Sequence, residues 1–230
     1  MSTSVWKRAF MARIVMMQGE RLCGISFGNE RSNVPTGSEF LEHYRLDDGT
    51  LVRLRPVRPA DAAELKRGFD RLSPSSRYHR FLAGRTALSD ATLRYLTSVD
   101  GHDHVAIVAV TDAADGTEAG VGIARFIRTK DDPEAAEIAI TVIDDMQRKG
   151  VGRVLALALG RAALEVGVKR FRGEILAENV PVRRLLKDVG ASIVPAYGGS
   201  SLVFEIELGA RDPHDLEMIA RRLHVTTATR

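Results

Sequence analysis

The chain has a single cysteine, Cys23. That excludes an intramolecular disulfide and any zinc site built on several cysteines, and it fits a reducing, cytoplasmic setting. Long apolar runs are also missing: nothing approaches the ~20 residues a spanning helix needs, so no membrane partner is expected. No internal repeat is evident. Excess charge is scarce in the body of the chain, too. Residues 1–38 hold five basic residues and two acids, which is the whole of the net charge of +3. The remainder is neutral and lacks the broad basic face that phosphate-backbone binding requires, so nucleic acid is not an expected partner. The 44% apolar and 27% charged residues are ordinary for a globular protein, and 230 residues suffice for one domain with an appendage.

Residues 1–38 keep no sustained period and end in Pro35-Thr36-Gly37-Ser38. They read as a poorly ordered extension and a linker. From Leu51 the text becomes regular. Residues 51–55 alternate as a half-buried strand should, until Pro56 and Pro59 stop them. Pro59 with the acids after it opens a helix. Ser73-Pro74 starts another through residue 81, and Ser89-Asp90 caps a third through residue 96. Strands are expected at 104–111, 120–128 and 136–143, then a long helix at 150–166, a strand at 170–176 and a helix at 180–189. Two more strands follow at 191–195 and 202–208, and Asp212-Pro213 is placed to cap a last helix through 223. Short links between the middle strands imply antiparallel pairing, while the helical crossover after Gly150 implies a parallel neighbour. The expected fold is α/β (α+β): a mixed, mostly antiparallel sheet of about seven strands with helices on both faces. Its bounds are 39–210, followed by a helical tail at 211–230.

The chemistry is concentrated where the strand ending at Val142-Ile143 meets the long helix, through Asp144-Asp145-Met146-Gln147-Arg148-Lys149-Gly150-Val151-Gly152-Arg153. A glycine-bearing loop that runs into a helix aims unpaired backbone N–H groups at one point, with the positive end of the helix dipole behind them. Gly150 and Gly152 allow close approach to the backbone, while Arg148, Lys149 and Arg153 add formal charge. A pyrophosphate suits such a site. A Walker A loop requires Gly-Lys-Ser/Thr, and Gly152 is followed here by Arg153-Val154. A dinucleotide fingerprint requires a third glycine where Leu155 stands. Taken alone, the loop is equally compatible with a plain glycine turn among solvated basic residues.

Gln147-Arg148-Lys149-Gly150-Val151-Gly152 resembles the acyl-CoA pyrophosphate loop of GNAT N-acyltransferases, written Gln/Arg-x-x-Gly-x-Gly/Ala. The preceding strand, the helix opened by Asn179 and its end at Gly190-Ala191 agree in order with that family over about residues 51–208. The resemblance implies a GNAT fold and acetyl-CoA as cosubstrate, with no metal. It implies that backbone around Ile140 and Val142 bonds the pantetheine arm, with the Val142 amide polarising the thioester carbonyl. Gln147 through Gly152 would hold the pyrophosphate and Asn179 the cofactor, although Asn179 also suits a simple helix N-cap.

An attacking amine must lose a proton, so a general base is required. Glu137 is the candidate: its Ala-Glu-aliphatic-Ala setting resembles the strand glutamate of Pat-type bacterial protein lysine acetyltransferases. Periodicity alone would equally make it a solvent-facing acid, and His102 and His104 stand in reserve. The tyrosine that often protonates the leaving thiolate in the family is replaced by Leu186, leaving Tyr197 or water for that task. Cys23 lies far from the motif, so direct transfer in a ternary complex is expected rather than an acyl-cysteine step. Residues 1–50 are too short to be the cyclic-nucleotide-binding domain of the best-known Pat enzymes, and such regulation is not implied.

The segment from Arg71 to Phe81, with Ser-x-x-Ser-Arg-Tyr-x-Arg-Phe wording, resembles the acceptor-groove helix of the Pat-like group. Its helical spacing alone turns Tyr78 and Phe81 toward a core and leaves Arg77 and Arg80 open. A protein with an acceptor lysine is the partner implied. A small-amine N-acetyltransferase and a non-catalytic acyl-CoA-binding module are the alternatives.

Overall fold

The computed structural model describes residues 42–81, 87–113, 116–196, 200–208 and 226–227. The extension at 1–38, Tyr197, Cys23 and the helix expected at 212–223 lie outside the described residues. The chain divides into residues 1–34 and 35–230, and every described residue belongs to the second unit.

Strands β1 (Glu42–Arg45) and β2 (Leu51–Pro56) form a hairpin. A 3-10 turn at Pro59–Asp61 leads into helix α1 (Ala62–Asp70), followed by α2 (Pro74–Phe81) and α3 (Asp90–Thr97). Strands β3 (His104–Asp112), β4 (Glu118–Arg128) and β5 (Ala135–Val142) come next, then α4 (Val151–Glu165), β6 (Arg170–Leu176) and α5 (Val180–Asp188). The chain continues through β7 (Ser192–Pro195), β8 (Ser201–Glu207) and the two-residue β9 (Thr226–Thr227). The caps are those the sequence offers: the Ser89 side chain accepts from the Thr92 amide, and Gly150 sits in the left-handed region at the start of α4.

All strands join one sheet in the order β7-β8-β6-β5-β4-β3-β2-β1-β9. Every pairing is antiparallel except β5 with β6. The seven expected strands are present. β1 and β9 extend the sheet beyond them, because four residues with one deeply buried side chain, Tyr44, are too few to display a period.

Two layers flank the sheet. On one face α4 buries Val151, Val154, Leu155, Ala158, Leu159 and Ala163 against Leu54, Ile107, Ala124, Phe126 and Ala136, with Leu186 of α5 in the same core. On the other face Val57, Ala106, Val108 and Val110 pack with Leu65 of α1. Strand β4 passes from pairing Gly120 with Val110 to pairing Gly122 with Ala109, leaving Val121 as an extra residue. Gly122 lies so close to α4 that a Cβ there would stand 3.0 Å from Leu155 Cδ1 and 3.2 Å from Val151 Cγ1.

Candidate active site

The parallel pairing of β5 and β6 is short. It covers Ala135↔Arg170, Ala136↔Phe171 and Glu137↔Arg172 and then stops, although both strands continue. Strand β6 is held on its other edge by β8 along its whole length. From Ile138 to Val142, β5 therefore has a strand partner on the β4 side alone among the described residues. Which backbone groups face the opening follows from two bonds: the Thr129 amide donates to the Ala135 carbonyl, and the Ile143 amide donates to the Val121 carbonyl. The odd-numbered residues of β5 are thus turned to the β4 side. By alternation, the amides and carbonyls of Ile138, Ile140 and Val142 are turned to the splay. An extended polar chain laid there finds a row of donors and acceptors to pair with, although the Val142 carbonyl already accepts from Gln147. Ile140 and Val142, the positions expected to bond the pantetheine arm, are two of the three residues that offer them.

The same alternation sorts the side chains. Ile138, Ile140 and Val142 pack on the α4 core, while Thr141 lines a cavity beneath α1–α3. Glu137 therefore projects on the α1–α3 face, at the last register position before the strands part. It is half-buried, flanked in register by Ile127 of β4 and Arg172 of β6. Arg172 itself donates to Glu205 at 2.6 Å and to Asp132 at 3.2 Å.

At the far end of the splay lies the basic loop. Gly150 has φ +99 and Arg148 has φ +62, the one non-glycine residue with positive φ among the described residues. These two reversals turn the chain from strand into helix within a few residues. The first helical bonds run from the Arg153 and Val154 amides to the Gly150 carbonyl. The Val151 and Gly152 amides precede them and point out of the helix end, where an anion is favoured. A Cβ on Gly152 would have Val142 Cγ2, 3.9 Å away, as its nearest protein neighbour, so the space over this glycine is open. Lys149 pairs with Asp48 of the β1–β2 turn at 3.3 Å.

The side chain of Gln147, expected at the pyrophosphate, is bonded within the protein. Its amide nitrogen donates to the Val142 carbonyl at 3.1 Å, to Ser76 Oγ at 3.1 Å and to Asp144 Oδ1 at 2.8 Å. Asp144 also accepts from the Ser73 amide at 2.6 Å and from the Ser76 hydroxyl. Partial burial would raise its carboxyl, but the donors from Ser76, Ser73 and Gln147 outweigh that and hold it below the ordinary carboxylate value. With the Arg71–Asp145 pair at 3.3 Å, these bonds tie the start of α2 to the β5–α4 loop. At its other end α2 reaches across the splay, where His79 Nε2 stands 3.5 Å from Glu178 Oε1. Asp144 was not singled out from the sequence; a lone acid in a loop carries no pattern until its partners from 71 residues away are known.

Asn179 caps α5, accepting from the Val182 amide at 3.4 Å. Leu186 is a buried core residue, so the place often held by a tyrosine presents no proton donor. Tyr78 is 44% exposed and does not enter the core. Arg77 is not solvated alone: it lies 4.6 Å over the Phe69 ring and donates to the Asp70 carbonyl. His102 is exposed and bonded to Asp103. His104 is buried, and its Nε2 accepts from Arg125 Nη1 at 2.9 Å, so its lone pair is taken and it is not poised as a base. Burial and the Arg125 charge push this histidine down to about 4. Arg125 is pushed down to about 9, by burial first and then by Arg80. Neither Arg125 nor its bond to His104 was anticipated, although an arginine within the apolar run Ile123-Ala124-Arg125-Phe126 was visible. Among the described residues no cluster of three His, Cys, Asp or Glu is placed to hold a metal, and no helix is long and apolar enough to cross a membrane.

A splayed parallel pair, an outward helix N-terminus and a basic glycine loop at the end of the opened strand form one continuous seat. Residues 52–192, which contain all of it, match the acetyltransferase (GNAT) domain model. The chain belongs to the GNAT acetyltransferase family. It is 38% identical over 143 residues to Acetyltransferase Pat of Mycolicibacterium smegmatis, a stretch covering 62% of this chain and 42% of that protein. The chain thus spans less than half the length of that relative. It is 31% identical over 178 residues to Acetyltransferase PA5475 of Pseudomonas aeruginosa, covering 77% of this chain and 86% of that protein. Among solved structures, the GNAT domain of S. lividans PAT superposes with a TM-score of 0.67 at 25% identity, over 74% of this chain and 98% of that one. The GNAT fold and the resemblance to Pat-type catalytic domains read from the strand and loop text are both upheld.

Proposed function

We propose that the protein transfers the acetyl group of acetyl-CoA to a primary amine, the side chain of a lysine on another protein. The observation that carries this is the opening between β5 and β6. It presents the backbone of Ile138, Ile140 and Val142 to an extended arm, with the Val151 and Gly152 amides at its end for a pyrophosphate. Glu137, on the opposite face at the point of divergence, takes the proton from the amine as nitrogen attacks the thioester carbon. The C–S bond then breaks, and the CoA sulfur leaves as thiolate, to be protonated from water since Leu186 offers nothing. The Val142 amide, turned to the splay, is the donor for the carbonyl oxygen as charge develops there. Support for a protein lysine comes from the Ala136-Glu137-Ile138-Ala139 setting, the wording of residues 71–81 and the similarity to Pat. A cytoplasmic location belongs to the same proposal.

Calorimetry with acetyl-CoA tests the cofactor seat. Wild type should bind saturably, and Gly152→Glu should abolish binding without unfolding the protein, because the new side chain enters open space and carries the wrong charge. Glu137→Gln should keep the wild-type affinity for acetyl-CoA while losing about a hundredfold or more in turnover. Absence of binding by folded wild type defeats the proposal, and binding without transfer to any amine favours an acyl-CoA-binding module instead.

A further inference from the structure

Beneath α1–α3 lies a cavity of about 90 Å³, walled by Leu65, Phe69, Leu72 and Leu96 and reaching Thr141 on the cofactor-bearing strand. Three guanidiniums line this largely apolar space, Arg125 from β4, Arg80 from α2 and Arg55 from β2. Arg125 is 5% exposed. Its contacts are neutral: His104 Nε2 at 2.9 Å and the Leu96 carbonyl at 3.1 Å. Among the described residues no carboxylate pairs with it. The contrast lies within the same cavity wall, where Arg55 has Asp61 at 2.8 Å and Glu118 at 2.8 Å. A buried cation is costly unless an opposite charge comes with it, and a second cation beside it adds to that cost.

We propose that this cavity receives a carboxylate carried by the acceptor, held by Arg125 beside the reacting amine. The inference rests on the acyltransferase reading above and names a chemical feature of its substrate. The sheet supplies the spacing. Arg125 pairs with Ala139, and Glu137 is the next residue of β5 on the same face. The two side chains are thus diagonal neighbours, about 7–8 Å apart at the backbone. One molecule with an amine at Glu137 and a carboxylate at Arg125 spans that gap. The volume suits a small acid group and not a large ring system. The carboxylate has two possible sources, a free amino acid or an acidic side chain flanking an acceptor lysine, and both present the same group to the same guanidinium.

The test is a set of paired acceptors with acetyl-CoA, read as CoA release: aminohexanoate against its amide, and a lysine peptide with flanking glutamate against the same peptide with glutamine. In one pair or both, the carboxylate member should have a kcat/KM higher by about tenfold or more, carried by KM. The pair that shows it identifies the source. Arg125→Gln should bring the ratio to about one with acetyl-CoA affinity retained. Equal values within both wild-type pairs overturn the inference while leaving acetyl transfer standing, as does a preference that persists in folded Arg125→Gln. If wild type binds no acetyl-CoA, the acyltransferase reading falls, and the carboxylate site is then decided by calorimetry with aminohexanoate and its amide. Equal binding of the two overturns it; binding of the acid alone, lost in Arg125→Gln, supports it.

Discussion

The ring of His104 is buried, and three neighbours fix its state. Its own amide donates to Asp100 at 2.8 Å, the Tyr95 ring lies 5.2 Å away, and Nε2 accepts from Arg125. An imidazole that must accept from a guanidinium is neutral, which agrees with its depression from 6.5 to about 4. Between those two values the unfolded chain binds the proton and the folded chain does not. Stability from this site is therefore complete above about pH 6.5, falls as the pH drops and is lost below about 4. The difference is of order 3 kcal/mol. In His104→Gln the amide oxygen still accepts from Arg125 but does not titrate. Urea unfolding across pH 4–7 should show wild type losing stability toward acid more steeply than the variant. Equal slopes would mean that His104 is charged in the folded state.

Strand β4 runs close under α4 at Gly122. At Gly122 an added methyl would lie 3.0 Å from Leu155 Cδ1 and 3.1 Å from the Thr141 carbonyl oxygen, so its neighbours must give by a few tenths of an ångström to admit it. Gly122→Ala should destabilise the protein by about 1–3 kcal/mol through overpacking. Gly160 in the middle of α4 is the counterexample. Its added Cβ would come no closer than 3.9 Å to Leu208, so Gly160→Ala should stabilise by up to about 1 kcal/mol through helix propensity. Denaturant midpoints of the two variants, moving in opposite directions, check both. In sequence these glycines look alike; one lies in a strand pattern and the other in a helix pattern, and neither pattern says what passes overhead.

At the scale of the whole molecule, Arg55 joins three distant parts of the chain. From β2 it donates to both oxygens of Asp61 at the start of α1, to Glu118 at the start of β4 and to the Pro56 carbonyl. Burial favours the neutral form of Asp61, but its bonds from Arg55 and the Arg58 amide outweigh that and hold its carboxyl below the ordinary value. This contribution is thus present above the usual carboxylate pKa and is lost as the pH falls through the folded one. Asp61→Asn should cost about 2–3 kcal/mol, since it leaves a buried guanidinium with Glu118 as its one remaining carboxylate. Glu118→Gln should cost less, because Glu118 is more exposed. Thermal unfolding of the pair at neutral pH orders them, and the reverse order would refute this account.

The sequence by itself determined the succession of elements, because helix caps, glycine stops and the two periods are local matters. Ser89, Gly150, Asn179 and Gly190 mark ends that the folded chain keeps. It also determined the basic loop and its family, since Gln147 through Gly152 form a local pattern whose spacing lies within one short window. Tertiary structure decided the rest. Only folding shows that β5 and β6 part after Glu137, since strand divergence is a relation between segments more than 30 residues apart. Gln147 reaches Ser76 because Asp144 anchors the start of α2 beside it. Arg125 and His104 meet because adjacent antiparallel strands bring them together on one face. Long-range pairing leaves no mark in a window of neighbouring residues, so the glycine loop with its strand and helix was legible and the contacts of Arg125 and Asp144 were not.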